Sequence, residues 1–245
     1  MPEEKIIFYS GKQKRVGVLN KASKNRCVVL AHGFLSSKEY FNNVVEIFSS
    51  HDIASFRFDF VGHGESEGSS LEITLSKEIE DMKAAIDFVK TEGYKSIGII
   101  GHSLGATISI LGWSEEVNCL VALNPVISLK STFLKFFDNE KLRELERKGY
   151  ITIVTKKKER IEISDKFFEE VMKFDSIEIK KVKCPMLFIV SSQDETMSQA
   201  KEAFLKANEP KKLEIIPDAD HNLSLSSHKT YAFETAAIWL KKWLG

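Results

Sequence analysis

Gly101-His102-Ser103-Leu104-Gly105 sets a serine between two glycines, each two residues away. The G-x-S-x-G pattern also arises by chance, so its surroundings decide what it means. Here an apolar run, SIGII, precedes it and a small-residue stretch, ATISILGW, follows it. That is the strand-to-helix setting in which a serine sits on a sharp turn with its hydroxyl exposed. Side chains in place of the two glycines would collide where strand and helix cross, and the backbone at the serine is strained. A serine hydroxyl is a weak nucleophile at neutral pH. It needs a histidine to take its proton and a carboxylate to orient that histidine. In this setting the acid and then the histidine follow at the ends of later strands. Asp194, after MLFIVSSQ, and His221, after KLEIIPDAD, occupy those places. Glu195 is the nearest rival for the acid, while Asp218 and Asp220 read as turn formers beside the base. The remaining histidines read as bystanders: His228 begins the last helix, His51 lies in a polar turn, His102 packs beside the nucleophile, and His32 is structural.

Attack on an acyl carbonyl passes through an oxyanion that needs two preorganised N–H donors. The amide of Leu104, opening the helix after the nucleophile, is one candidate. The second is expected from the loop after CVVLAHGF, where Phe34 is the first choice and Leu35 the fallback. The stretch Asp59-Phe60-Val61-Gly62-His63-Gly64-Glu65-Ser66 lacks the spacing of a phosphate-binding glycine loop and reads as a tight loop after a strand. No HExxH motif and no His/Cys cluster points to a metal, and no motif points to a cofactor.

These residues require a scaffold of strands and helices in alternation. Ile6–Tyr9 and Arg15–Leu19 read as an antiparallel hairpin. Continuous apolar runs follow at 27–34, 53–60, 96–103, 119–125 and 185–195, the pattern of strands buried on both faces, and KKLEIIPDAD (211–220) supplies a last strand. Helices are predicted over Glu39–Ser49, Leu71–Thr91, Leu104–Gly112, Ser198–Ala207 and Lys229–Trp243; in the second, Leu75, Ile79, Met82, Ile86 and Val89 form one apolar face. The alternation predicts an α/β fold with a mostly parallel, doubly wound sheet. One stretch, residues 126–183, leaves the rhythm. It scatters Phe133, Phe136, Phe137, Phe167, Phe168 and Phe174 among charged residues and includes the hairpin-like YITIVTKKKERIEIS. It is predicted to be an inserted subdomain of helices and a hairpin, with residues 1–125 and 184–245 forming the core. Its phenylalanines line an apolar substrate pocket or form the insertion's own core.

The 245 residues fit one catalytic-sized domain, and 43% hydrophobic against 29% charged residues excludes wholesale disorder. Thirty-five basic and 35 acidic residues cancel, which argues against a nucleic-acid partner. Cys27, Cys119 and Cys184 edge apolar runs and read as buried structural thiols. The N-terminal MPEEKIIFYSGKQKR carries no apolar signal region, and no run approaches the roughly 18 apolar residues of a membrane span. The expected compartment is therefore the cytoplasm, with no membrane partner; monomer and homodimer both remain open.

Together, HGF at 32–34, DFVGHGES at 59–66, GHSLG at 101–105, Asp194 and His221 resemble the α/β-hydrolase family over nearly the whole chain. More narrowly they resemble its small serine esterases: the cinnamoyl/feruloyl esterase, monoacylglycerol lipase and serine aminopeptidase-like branch. The resemblance implies Ser103, Asp194 and His221 as the triad and the Phe34 and Leu104 amides as the oxyanion hole. It also implies a lid after the strand following the nucleophile helix, where 126–183 falls. Leu104 departs from the Gln that several feruloyl esterases carry there, which weakens the substrate match but not the chemistry, since only its backbone is needed. The expected activity is hydrolysis of a small-molecule acyl or aryl ester through an acyl-enzyme. A monoacylglycerol-type lipase, a thioesterase and a serine peptidase share the triad; a non-catalytic binding member of the fold is the remote alternative.

Overall fold

The computed structural model describes residues 3–135, 138–155, 160–174 and 177–245. Phe136, Phe137 and the basic break at 156–159 lie outside the described residues. Strands β1 (Glu3–Ser10) and β2 (Gln13–Asn20) pair antiparallel around a tight turn at Gly11, whose φ of 58° is open to a residue without Cβ. In β1, Ile6 and Phe8 face inward while Ile7 and Tyr9 are exposed, the alternation of a sheet wet on one side.

The chain then winds through β3 (Arg26–Ala31), α1 (Val45–Ser50), β4 (Ala54–Phe58), α2 (Leu75–Thr91), β5 (Ser96–His102), α3 (Leu104–Leu111) and β6 (Val117–Leu123). After β6 it leaves the sheet for α4 (Leu129–Leu134), α5 (Asn139–Lys148), the antiparallel pair β7 (Tyr150–Val154) and β8 (Arg160–Ser164), and α6 (Asp165–Lys173). It returns as β9 (Met186–Ser191), α7 (Met197–Lys206), β10 (Lys211–Ile216) and α8 (Ser226–Trp243). The main sheet runs β1-β2-β4-β3-β5-β6-β9-β10; β2 is antiparallel to both neighbours and every later pairing is parallel. This is the α/β-hydrolase architecture.

The central strands read as unbroken apolar runs because both faces are covered. Val29, Ile99, Leu120 and Phe188 pack on one side beneath α2, α3 and α7. Val28, Leu30, Ile100, Val121 and Ile189 pack on the other beneath α1 and α8. Each such side chain, removed from water, contributes about 1.5–3 kcal/mol. Parallel register aligns the strand ends: Ala31 pairs with Gly101, His102 with Leu123, Leu123 with Ile189, and Ser191 with Ile216. The carboxyl ends of β4, β3, β5, β6, β9 and β10 therefore open onto one side of the molecule, where ligands of open α/β sheets bind.

Element boundaries differ locally from expectation. The helix predicted over Glu39–Ser49 divides into a 3-10 stretch, Lys38–Val44, and the short α1. Its start is pinned by the Asp59 carboxylate, which accepts from both the amide and the ammonium of Lys38. Helix α2 begins at Leu75 rather than Leu71, because Thr74 caps the Lys77 amide and residues 69–72 close a separate turn through a Ser69–Glu72 capping box. The last helix starts at Ser226, three residues earlier than expected. Cys27, Cys119 and Cys184 are buried and unbridged, and burial pushes the Cys184 thiol up to about 12.

Segment α4–α6 has its own packing. Asp138 caps α5 through the Lys141 amide, and Gly149, at φ 73°, ends that helix. On α6, Phe167, Phe168 and Val171 are buried. Glu170 accepts from the Ser76 amide at the start of α2, tying the segment to the main body.

Candidate active site

Ser103 stands between β5 and α3 with φ 56° and ψ −122°, outside the regions an L-residue adopts freely. Such strain persists only where the surroundings impose it, and here they do. Its N–H donates to Leu123 O at 2.9 Å, and its carbonyl accepts from Ala106 at 3.1 Å. A Cβ on Gly101 would lie 2.4 Å from Ala106 Cα, and one on Gly105 would lie 2.3 Å from His32 O. The two glycines let helix and strand approach closely enough to force the serine outward.

His221 lies in the loop between β10 and α8. Its Nε2 is 2.9 Å from Ser103 Oγ and its Nδ1 is 2.7 Å from Asp194 Oδ2. Asp194, just past β9, is 6% exposed and also accepts from the Thr196 amide at 2.9 Å and its hydroxyl at 2.8 Å. Burial pushes the Asp194 carboxyl up, but the bonds and charge of His221 and Thr196 outweigh it and hold it below the usual range. Asp194 is then a carboxylate at neutral pH. It accepts Nδ1–H, leaving Nε2 free to accept the hydroxyl proton.

The rival acid Glu195 is exposed and bonded to Lys135 at 2.8 Å. Asp218 and Asp220 do form turns: Asp218 has φ 55° and donates its amide to Ser192 Oγ, while Asp220 accepts the Ser224 amide. His32 accepts from the Phe60 amide and donates to Gly33 O, a wholly internal role. His51 bonds Glu234, and His228 lies in the first turn of α8.

The two expected oxyanion donors, the Phe34 and Leu104 amides, border the same cavity as Ser103 and His221. Neither has an acceptor among the described residues. The fallback, Leu35, is already engaged: its N–H donates to His63 Nε2 at 3.2 Å. This contact escaped sequence reasoning. His63 donates Nδ1–H to Val61 O at 2.9 Å, and the Val61 amide donates to Asp81 at 2.7 Å. Asp81 in turn pairs with buried Arg15 at 2.8 Å. Burial holds His63 below its ordinary range, so Nε2 stays an acceptor. The loop at 59–66 is a tight turn held by its own contacts. Asp59 anchors Lys38 and the Glu65 amide, and His63 fixes the backbone next to Phe34. The signal was the GHG turn after a strand, but its partner is 28 residues away.

The cavity over Ser103 holds about 460 Å³ and is walled by Phe34, Leu104, Val126, Phe133 and Gln193. Phe34 stacks on Phe167 at 5.0 Å between centroids, and Phe133 meets both rings edge-on. Of the described phenylalanines of the 126–183 segment, Phe133 lines the cavity, while Phe167 and Phe168 pack behind it in the segment's own apolar centre.

A strained strand–helix serine, an imidazole and a carboxylate in line, and free amides beside them mark an α/β hydrolase. Residues 22–166, more than half of the chain, match the family described as serine aminopeptidase, S33, and the chain belongs to that family. An acyl transferase of Vibrio campbellii is 30% identical over 118 residues, 47% of this chain and 39% of that protein. An esterase/lipase of Mycoplasma pneumoniae is 29% identical over 107 residues, 42% of this chain and 39% of that protein. The matched stretch thus spans about two fifths of these relatives' length. Among solved structures, Est1E of Butyrivibrio proteoclasticus, bound to ferulic acid, superposes with a TM-score of 0.82 at 20% identity, covering 96% of this chain and 98% of that one. Among the described residues, no helix is long and apolar enough to cross a membrane, and no group of three or more His, Cys, Asp or Glu side chains could hold a metal ion.

Proposed function

We propose that the protein is a serine carboxylesterase acting on small to medium acyl or aryl esters through a covalent acyl-enzyme. The observation that carries this reading is the unbroken line from Ser103 Oγ through His221 to Asp194, at 2.9 and 2.7 Å. His221 Nε2 takes the hydroxyl proton as Ser103 Oγ attacks the ester carbonyl. The Phe34 and Leu104 amides receive the oxyanion, and Asp194 steadies the imidazolium. Collapse expels the alcohol, which takes its proton from His221. Water activated by the same imidazole then releases the acid.

Residues 126–183 act as a lid over the core formed by 1–125 and 184–245. The aromatic wall of Phe34 and Phe133, backed by Phe167, supports an apolar or aryl acyl group, in keeping with the ferulic acid that Est1E binds. A peptidase would hold a substrate amino group with a free carboxylate; at the cavity, Glu195 is paired with Lys135 and Asp194 with His221.

The test is turnover of p-nitrophenyl esters of graded acyl length and of methyl ferulate. The parent is expected to hydrolyse at least one series, and Ser103→Ala to lose about 10³-fold or more with an unchanged melting temperature. Undiminished turnover in Ser103→Ala would exclude the mechanism. Product formation only when an alcohol or thiol acceptor is added would favour acyl transfer, as the name of the Vibrio relative implies for that protein.

A further inference from the structure

The imidazole of His221 is steered from its own backbone. His221 O receives two hydrogen bonds, from His102 Nε2 at 2.9 Å and from Asn124 Nδ2 at 2.8 Å. We infer that His102 and Asn124 are positioning residues that together set the place of the proton-accepting imidazole by clamping the main-chain carbonyl of His221. This inference rests on the proposed role of His221 as the general base.

Each side chain is over-determined in a way that packing alone does not require. Asn124 is fully buried at the end of β6, with φ 44°, a conformation asparagine tolerates better than most residues. Its second amide hydrogen goes to Ser191 Oγ at 2.9 Å, and its Oδ1 accepts from the Ser191 amide at 2.7 Å. Ser191 ends β9, three residues before Asp194. One side chain thereby links the strand bearing the acid to the loop bearing the base.

His102 sits at the end of β5, beside Ser103. Its ring lies flat on Tyr40, with centroids 4.4 Å apart and planes 10° apart. Tyr40 is held by its hydroxyl on Asn222 O and by the Lys229 ammonium 3.9 Å from its ring. His102 Nδ1 is buried with no hydrogen-bond partner among the described residues. A phenylalanine would fill this space without that unsatisfied nitrogen. The single hydrogen bond of the ring requires the proton on Nε2, directed at His221 O. Burial keeps the ring neutral by pushing it down to about 3, so this donor does not change with physiological pH.

Two donors from neighbouring strands fix the carbonyl in two directions, and the imidazole follows. A residue-scale displacement of a catalytic group of about 1 Å costs on the order of 10²-fold in rate. His102→Phe keeps the ring and its stack on Tyr40 while removing the donor. Asn124→Asp keeps the acceptor for the Ser191 amide and turns the donor into an oxygen that repels His221 O. With the ester found in the parent, each variant is expected to lower kcat roughly 10–100-fold with KM within about twofold. The melting temperature is nearly kept in His102→Phe and falls in Asn124→Asp, which buries an unpaired acceptor, so His102→Phe carries the test. His102→Gln, which offers an amide N–H, should recover part of the loss. A His102→Phe kcat within about twofold of the parent, or a loss that follows a fall in melting temperature and is not recovered by glutamine, would overturn the inference. Proton NMR gives a readout independent of turnover. The His221 Nδ1–H held by Asp194 should give a far-downfield resonance in the parent that broadens or shifts in the His102→Phe/Asn124→Asp double variant. An unchanged resonance there would also refute the clamp. A parent without esterase turnover would refute the proposed function and leave the clamp to be decided by this resonance.

Discussion

At the residue scale, the chemistry depends on which protonation states burial and hydrogen bonding enforce. Asp194 is buried yet stays a carboxylate because His221 and Thr196 give it donors. Asp194→Asn keeps the shape but offers an amide to Nδ1 and favours the wrong tautomer. It is expected to lower kcat by about 10⁴-fold in the ester assay. Because the folded state lowers the carboxyl below its usual range, Asp194 contributes stability above about pH 4 that is lost as pH falls through the lowered value. Melting curves in acid should therefore fall less steeply for Asp194→Asn than for the parent. Glu78 behaves oppositely. Burial, and then the charge of Asp81, push its carboxyl well above the usual range, with the neutral His63 ring 3.9 Å away. Its stabilising contribution is complete at low pH and lost as pH rises toward the raised value. Glu78→Gln should match the parent near pH 4 and melt progressively higher than it toward pH 8. Equal melting at both pH values would show that the Glu78 carboxylate is not destabilising.

At the element scale, the continuous apolar runs made β3, β5, β6 and β9 legible in the sequence, since strands covered on both faces have little room for polar side chains. The spacing of Leu75, Met82, Ile86 and Val89 likewise matched α2 to its last residue, Thr91. What escaped were features fixed by distant partners. The 3-10 stretch at Lys38–Val44 depends on Asp59, and the hold on Leu35 depends on His63. From the sequence His102 is a packing residue, because nothing local reveals that His221 O, 119 residues later, lies 2.9 Å from its Nε2. Ser103, Asp194 and His221 were legible because the strand–turn–helix setting fixes their order along the chain. The close crossing of β5 and α3 carries its own test. A methyl group on Gly105 would meet His32 O at 2.3 Å and Ala31 O at 2.4 Å, both backbone atoms that cannot step aside. Gly105→Ala is expected to cost at least about 1–3 kcal/mol in denaturant unfolding and to abolish turnover by moving Ser103. A stable, active variant would mean that the turn is not constrained as described.

At the scale of the whole molecule, the parallel part of the sheet brings six strand ends to one side, and the segment between β6 and β9 folds back toward them. Phe133 belongs both to its aromatic centre and to the cavity wall, so one substitution there reads stability and selectivity together. Phe133 is 4% exposed and touches both Phe34 and Phe167. Phe133→Ala should cost roughly 3–5 kcal/mol of stability and enlarge the cavity. In the graded ester series, the optimum is expected to move toward longer or bulkier acyl groups. A preference that stays fixed despite the stability loss would remove the 126–183 segment from substrate selection.

Convergence of Ser103, His221 and Asp194 from separate loops is tested most directly by covalent capture. A fluorophosphonate reacts when serine oxygen attacks phosphorus and fluoride leaves, which requires the hydroxyl to be activated in place. After incubation and peptide mass spectrometry, the adduct should be found on Ser103 in the parent and be strongly diminished in His221→Ala and Asp194→Asn. An unlabelled Ser103 in the folded parent, or labelling undiminished when His221 is removed, would contradict the triad.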